Sequence, residues 1–158
     1  MGGGYTTERY RYKKGDDLIN VTQEFETGKF IGKLGYNYDA IVPFYYFTSG
    51  WKNQLILTHV WGKTIGNNNS FYSIENQTSY FKRIKQLGNL AFRLKMGMAK
   101  NNDTPFPPFA IDNNSNVRGS GNLIKRRSAL WVINSEYRQS LFERKWFAMQ
   151  ANLFVDVA

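Results

Sequence analysis

"NLAFRLKMGMAK", residues 89–100, sets Leu90, Phe92, Leu94, Met96 and Met98 at alternate positions, with Asn89, Ala91, Arg93, Lys95, Gly97 and Ala99 between them. A helix would mix Arg93 and Lys95 among the apolar side chains, whereas a strand sends the two sets to opposite faces. The stretch therefore reads as a strand with one wholly apolar face and one face bearing two full charges.

The same period recurs on both sides of it. In Lys29–Asp39, Phe30, Leu34, Tyr36 and Tyr38 oppose Lys29, Lys33, Asn37 and Asp39. In Ala129–Arg138, Trp131, Ile133 and Tyr137 oppose Val132, Asn134, Glu136 and Arg138. In Trp146–Val157, Phe147, Met149, Leu153, Val155 and Val157 oppose Gln150, Asn152 and Asp156. Tyr5–Tyr12, Asp17–Thr27, Trp51–Lys63 and Ser70–Arg83 alternate less regularly but still read as strands, the last with Ser73, Glu75, Gln77 and Ser79 on its polar side. The clusters "KKGDD", "TSG", "IGNNNS" and "NNDTPFPPFAIDNNSN" supply turns between them. No segment has the pattern of a long amphipathic helix, and no linker or repeat divides the chain. The expectation is one all-β domain over residues 1–158, with about eight antiparallel strands of roughly eight to thirteen residues, longer than the usual five or six.

Alternation alone does not say which face is wet. In a soluble sheet the apolar face packs on a core, and in a transmembrane β-barrel it meets lipid while the polar face lines a watery lumen. Charges in mid-strand (Lys33, Arg93, Lys95, Glu136) suit a lumen or any solvated face. Aromatic residues near strand ends (Tyr36, Tyr38, Tyr72, Tyr80) suit an interfacial girdle, and the strand length suits a tilted crossing. No run approaches the ~18 apolar residues of a membrane helix, and the first residues lack the apolar stretch of a secretory signal.

Composition narrows the chemistry. There is no Cys, which leaves no disulfide framework or Cys-based metal site, and with one His, His59, a His-cluster metal site or a His-paired nucleophile is nearly excluded. The net charge of +9 admits nucleic acid, anionic lipid or acidic substrates as partners, beside a merely solvated surface.

Three motifs then stand in order: "NVRGSG", with Val117, Arg118 and Gly119; "INSEYRQSLF", with Asn134, Glu136, Tyr137 and Arg138; and "LFVDVA", with Phe154 and Asp156. Together they resemble the C-terminal barrel of the BamA/TamA outer-membrane assembly superfamily, the bacterial surface antigen barrels. That family carries a V-R-G-[FY] loop folded into the lumen, a following strand with N-x-E-[YF]-R, and a next strand with F-x-D-x-G. The lead-in "PFPPFAIDNNSN" is similar too, while Ser120 replaces the family's aromatic and Ala158 its closing glycine.

The resemblance implies a partial barrel, about eight strands of a roughly sixteen-stranded one, in the bacterial outer membrane. It further implies a non-enzymatic role in inserting or translocating client polypeptides, with outer-membrane lipid, clients and assembly-machinery accessory proteins as partners and no cofactor, metal or catalytic residue. Nucleic acid is not among the expected partners. Glu136, Arg138 and Asp156 are the expected docking partners of the Val117–Arg118–Gly119 loop, because Glu136 and Asp156 share the polar parity of neighbouring strands and a guanidinium can bridge two carboxylates. Leu90, Phe92, Leu94, Met96 and Met98 are the expected lipid-facing set. The competing reading is a soluble basic β-barrel that binds single-stranded nucleic acid through aromatics and Lys/Arg, with Lys125–Arg127 as its best support. A carboxylate pair for glycoside chemistry is disfavoured, since arginine partners would hold Glu136 and Asp156 ionised.

Overall fold

The computed structural model describes residues 2–11, 24–45, 47–64, 67–68, 70–100, 108–111, 117–118 and 125–158. Among these there is no helix. The chain forms β1 (Gly2–Arg11), β2 (Glu24–Phe44), β3 (Phe47–Thr64), β4 (Asn67–Asn68), β5 (Phe71–Ile84), β6 (Gly88–Lys100), β7 (Phe109–Ile111), β8 (Lys125–Arg127), β9 (Ala129–Arg144) and β10 (Phe147–Val157). One antiparallel sheet runs in the order β1-β2-β3-β5-β6-β9-β10, with β4 paired to the end of β3, and β7 and β8 make a separate two-stranded ribbon. The fold is all-β, and the sheet is open, its two edges formed by β1 and β10.

The strands outrun the sequence expectation. Asp17–Thr27 is not a separate strand: residues 24–27 begin β2, which continues through Gly28 in register with both β1 and β3, and residues 17–23 lie outside the described residues. "TSG" is not a turn either. Gly50 sits inside β3, opposite Ile41, at φ 112°, where a Cβ would lie 2.0 Å from the carbonyl oxygen of Ala40. Only glycine tolerates that backbone and that approach. The turn falls upstream, between the paired residues Phe44 and Phe47, where Tyr45 takes φ 46°. The β5–β6 connection is similarly tight, at Lys85–Leu87, and Lys145 and Trp146 join β9 to β10. These short turns all lie at one end of the sheet; the β5-ward end of β3 and the β6–β9 connection leave from the other.

Registers sort the side chains into two faces. Leu94 pairs with Thr78 and Ile133, Met96 with Asn76 and Trp131, and Met98 with Ile74 and Ala129. Ile133, Ser135 and Tyr137 pair in turn with Val157, Val155 and Leu153. This face is apolar and open: Met98 is 66% exposed and Leu153 71%, and Phe30, Leu34, Trp51, Trp61, Phe92 and Trp131 are exposed too. The most buried side chains belong to the opposite face, among them Val132 (0%) and Asn89 (3%). One bulge interrupts the parity, where β9 slips past Met149 and Gln150 of β10; Ser140 and Phe142 point to opposite sides in spite of their even spacing.

Near its middle the apolar face carries a polar cluster. Asn53 donates to Thr78 Oγ1 (2.7 Å) and Asn76 Oδ1 (3.5 Å); Asn76 donates to Asn53 Oδ1 (3.4 Å) and to the Gln54 carbonyl (3.3 Å); Thr78 donates to Asn76 Oδ1 (3.3 Å). The three side chains satisfy one another between the Trp51–Tyr80 pair and the Leu57–Ile74 pair.

Candidate functional site

β6 and β9 are neighbours in the sheet, yet the chain between them spans residues 101–128. Part of this connection lies over the polar face. Phe109, on β7, drives its ring against Gly97 of β6, where any Cβ would come within 2.6 Å of it. Gly97 is the vacancy that admits the ring. Phe109 also clusters with Leu130 and Val132 of β9, and Val117 and Ala99 pack against that cluster. These apolar contacts supply a small core on the otherwise polar face.

Val117 so placed delivers Arg118 to the carboxylates. Asp156 Oδ2 accepts from the Arg118 backbone N–H (2.9 Å) and from Nε (2.8 Å), and Oδ1 accepts from Nη2 (3.0 Å). Nη1 donates to Glu136 Oε2 at 2.8 Å. The guanidinium sits over Phe154, its Cζ 3.9 Å from the ring centroid. A planar fork can satisfy a bidentate carboxylate, a second carboxylate and a π face at once; an ammonium cannot. The Asp156 side chain is 3% exposed, Glu136 14% and Arg118 40%, so the carboxylates are shielded and the cation caps them. The Arg118 pKa rises above the ordinary arginine value, chiefly through its hydrogen bonds to Asp156.

Supporting groups extend the cluster along the strands. Arg138 Nε donates to the other Glu136 oxygen at 2.5 Å, so Arg138 acts on the loop through Glu136 and does not touch Arg118 directly. Asn134, opposite Asp156 in the register, hydrogen-bonds its carboxylate and accepts from Arg93 Nε at 2.8 Å. Farther away, Lys95 lies 3.6 Å from Glu75, and Lys52 pairs with Asp39 at 2.8 Å.

Of the residues singled out in the sequence, Val117, Arg118, Glu136, Arg138 and Asp156 thus form one connected group, and Gly119 lies outside the described residues. Leu90, Phe92, Leu94, Met96 and Met98 share the exposed apolar face on β6, with Leu90 and Leu94 the more sheltered. Two contributors went unread, Phe109 and Gly97, and Phe154 was marked as a motif position without its role beneath Arg118. Phe154 did carry a signal, an aromatic at the polar parity of β10 between Asn152 and Asp156. Nothing local marks the meeting of Phe109 with Gly97.

No family model, curated protein or solved structure matches this chain.

Chemically, the cluster is a clasp. Both carboxylates are occupied by guanidinium donors, which leaves neither as a proton donor or a free nucleophile. Among the described residues no group of three or more His, Cys, Asp or Glu is placed to hold a metal ion.

Proposed function

We propose that the sheet is part of the wall of an outer-membrane β-barrel that inserts or translocates other polypeptides, of the BamA/TamA assembly type. The observation that carries this reading is the clasp: a V-R-G loop fastened by Arg118 to Glu136 and Asp156 on the polar face of a sheet whose apolar face stays open. Those are the motif positions at which the family resemblance rests, in the relation that a lumenal loop requires.

The dimensions support a membrane crossing. Trp51 and Trp61 lie on the same face of β3, and a span from position 51 to 61 covers roughly 33 Å of strand at about 3.3 Å per residue. Tilted by about 40°, that becomes roughly 25 Å of height, the thickness of the apolar band of an outer-membrane barrel. Between these tryptophans the exposed face is apolar apart from the self-satisfied Asn53–Asn76–Thr78 group in its middle and the His59–Tyr72–Lys100 row next to Trp61, and the long connection and short turns fall at opposite ends, as in bacterial barrels. Further strands would close the two open edges, since lipid offers no partner for their backbone groups. A polypeptide client would then be engaged by strand pairing at a seam of the closed barrel.

The test is reconstitution of the protein in liposomes with an unfolded β-barrel client. Client insertion should proceed faster than in empty liposomes, fall on Arg118→Ala, and recover little on Arg118→Lys. Insertion that no more than matches empty liposomes would remove the assembly role; full activity in Arg118→Ala would remove the clasp from it.

A further inference from the structure

Toward the end of the apolar face from which the long connection leaves, one row of residues crosses five strands: Gly3, Gly32, His59, Tyr72 and Lys100, each paired with the next. Two of the five have no side chain, so the row is a trough. Phe30 and Trp61, 5.4 Å apart, wall it on one side. Leu34, Leu57, Ile74 and Met98, successive partners in the next same-face row, wall it on the other. The resulting groove is overwhelmingly apolar and encloses about 1010 Å³. Drug-sized ligands occupy sites of ~300–1,000 Å³.

The polar end of the row is unusual. The His59 ring is clamped between Trp61 (centroids 3.7 Å) and Tyr72 (3.9 Å, stacked at 9°), and it makes no hydrogen bond to a described residue. Lys100 is exposed and forms no ion pair with one. Strands lie about 4.8 Å apart, which puts His59 and Lys100 roughly 10 Å from each other across Tyr72. A titratable group fixed without a partner on a face that meets lipid needs one from the membrane.

We propose that this groove binds an anionic phospholipid, with one acyl chain lying between the Phe30–Trp61 pair and the Leu34–Leu57–Ile74–Met98 row and the phosphate received by Lys100 and the His59 ring N–H. The site rests on the membrane reading above. Charge selects the occupant: a hydrocarbon trough leading to a cation and a ring N–H that have no polar partner among the described residues matches a lipid with a negative headgroup, and it offers nothing specific to a polypeptide backbone. Trp61 leans over Gly32, its Cζ3 3.0 Å from where a Cβ would stand, and so lines the acyl path directly.

Trp61 therefore reports occupancy, and Trp51, on the same face of the same strand near its other end, serves as the control. The protein would be prepared with Trp61 or Trp51 as sole tryptophan, the others changed to Phe. It would be placed in phosphatidylcholine vesicles doped with acyl-brominated phosphatidylglycerol or acyl-brominated phosphatidylcholine, and quenching measured. Trp61 should favour the brominated phosphatidylglycerol about fivefold, the scale of one basic residue at an anionic surface, and Trp51 should show no preference. Lys100→Gln, an exposed change that leaves the fold alone, should abolish most of the preference. His59→Ala should reduce it, and Gly32→Leu should lower quenching of Trp61 by both lipids. Equal quenching of both tryptophans with no headgroup preference would overturn the site and leave the membrane reading intact. No quenching of either tryptophan by any brominated lipid would overturn both.

Discussion

The two polar clusters of the sheet are built by opposite rules. On the polar face, Arg118 carries a full charge to Asp156 and Glu136, and a second charge, Arg138, completes Glu136. On the apolar face, Asn53, Asn76 and Thr78 are neutral, and the amide donors of the two asparagines all end on neighbouring acceptors. Ions are tolerable where water or a covering loop screens them; in hydrocarbon a polar group must be neutral and fully paired. The contrast is the one that the proposed barrel, with lipid on one side and water on the other, would require.

The sharpest way to break this comparison is to put a charge on the wrong side. Leu94 pairs with Thr78 and Ile133 in the middle of the apolar face, and Leu94→Arg should cost ~2–4 kcal/mol of stability in protein refolded into detergent micelles and titrated with denaturant. Ala91→Ser, on the polar face of the same strand, should change it by less than ~0.5 kcal/mol. Similar costs at both positions would remove the lipid assignment of Leu90, Phe92, Leu94, Met96 and Met98.

A smaller effect is expected at the clasp. Arg118→Ala leaves Asp156 shielded with only Asn134 and a backbone N–H, and should weaken loop docking by about 1–3 kcal/mol. Hydrogen exchange reads this directly, because the Arg118 amide itself donates to Asp156: its protection should fall roughly 10- to 100-fold while the β9 amides stay protected. Arg118→Lys should restore little, since a point charge cannot span both carboxylates and Phe154. Unchanged protection in Arg118→Ala would mean that Phe109 and Val117 alone hold the loop.

Below that comes the neutral cluster. Asn53→Leu removes the donor to Thr78 Oγ1 and the acceptor of an Asn76 N–H, and should cost about 0.6–1.7 kcal/mol; the Asn53→Leu/Asn76→Leu double variant should cost less than the two single changes added together. Strict additivity in a double-mutant cycle would show the three side chains to be independent. The smallest effect belongs to Lys52→Gln, which removes an exposed pair with Asp39 and should shift stability by ~0–1 kcal/mol, declining with added salt.

What could be read from the sequence was whatever depends on parity. Asn89–Lys100 declares both its faces because every second residue agrees, and the same rule put Glu136 and Asp156 on one side, within reach of Arg118. What failed was punctuation. Gly50 looked like a turn because its sterically permissive backbone is used inside a strand, and the real turn at Tyr45 carries bulky aromatics in place of Gly, Asn or Asp. The bulge in β9 hid the stretch from Gln139 to Arg144, since an inserted residue reverses the alternation beyond it. The contact between distant segments that seats Phe109 on Gly97 has no local signature at all.

The distribution of turn lengths also bears on how the sheet comes together. β2–β3, β5–β6 and β9–β10 are joined by two or three residues, so each hairpin can zip from its own turn on a timescale of about 1–10 μs. Joining β6 to β9 instead requires closing the chain across residues 101–128, roughly three doublings longer and about 2 kcal/mol costlier in chain entropy. Arg118 lies within that excursion. Once β9 and β10 have paired, its capture by Glu136 and Asp156 ties the long loop to the strands it must return to. The remaining search would then be shorter, and the guanidinium would speed assembly of the sheet as well as fasten the finished one.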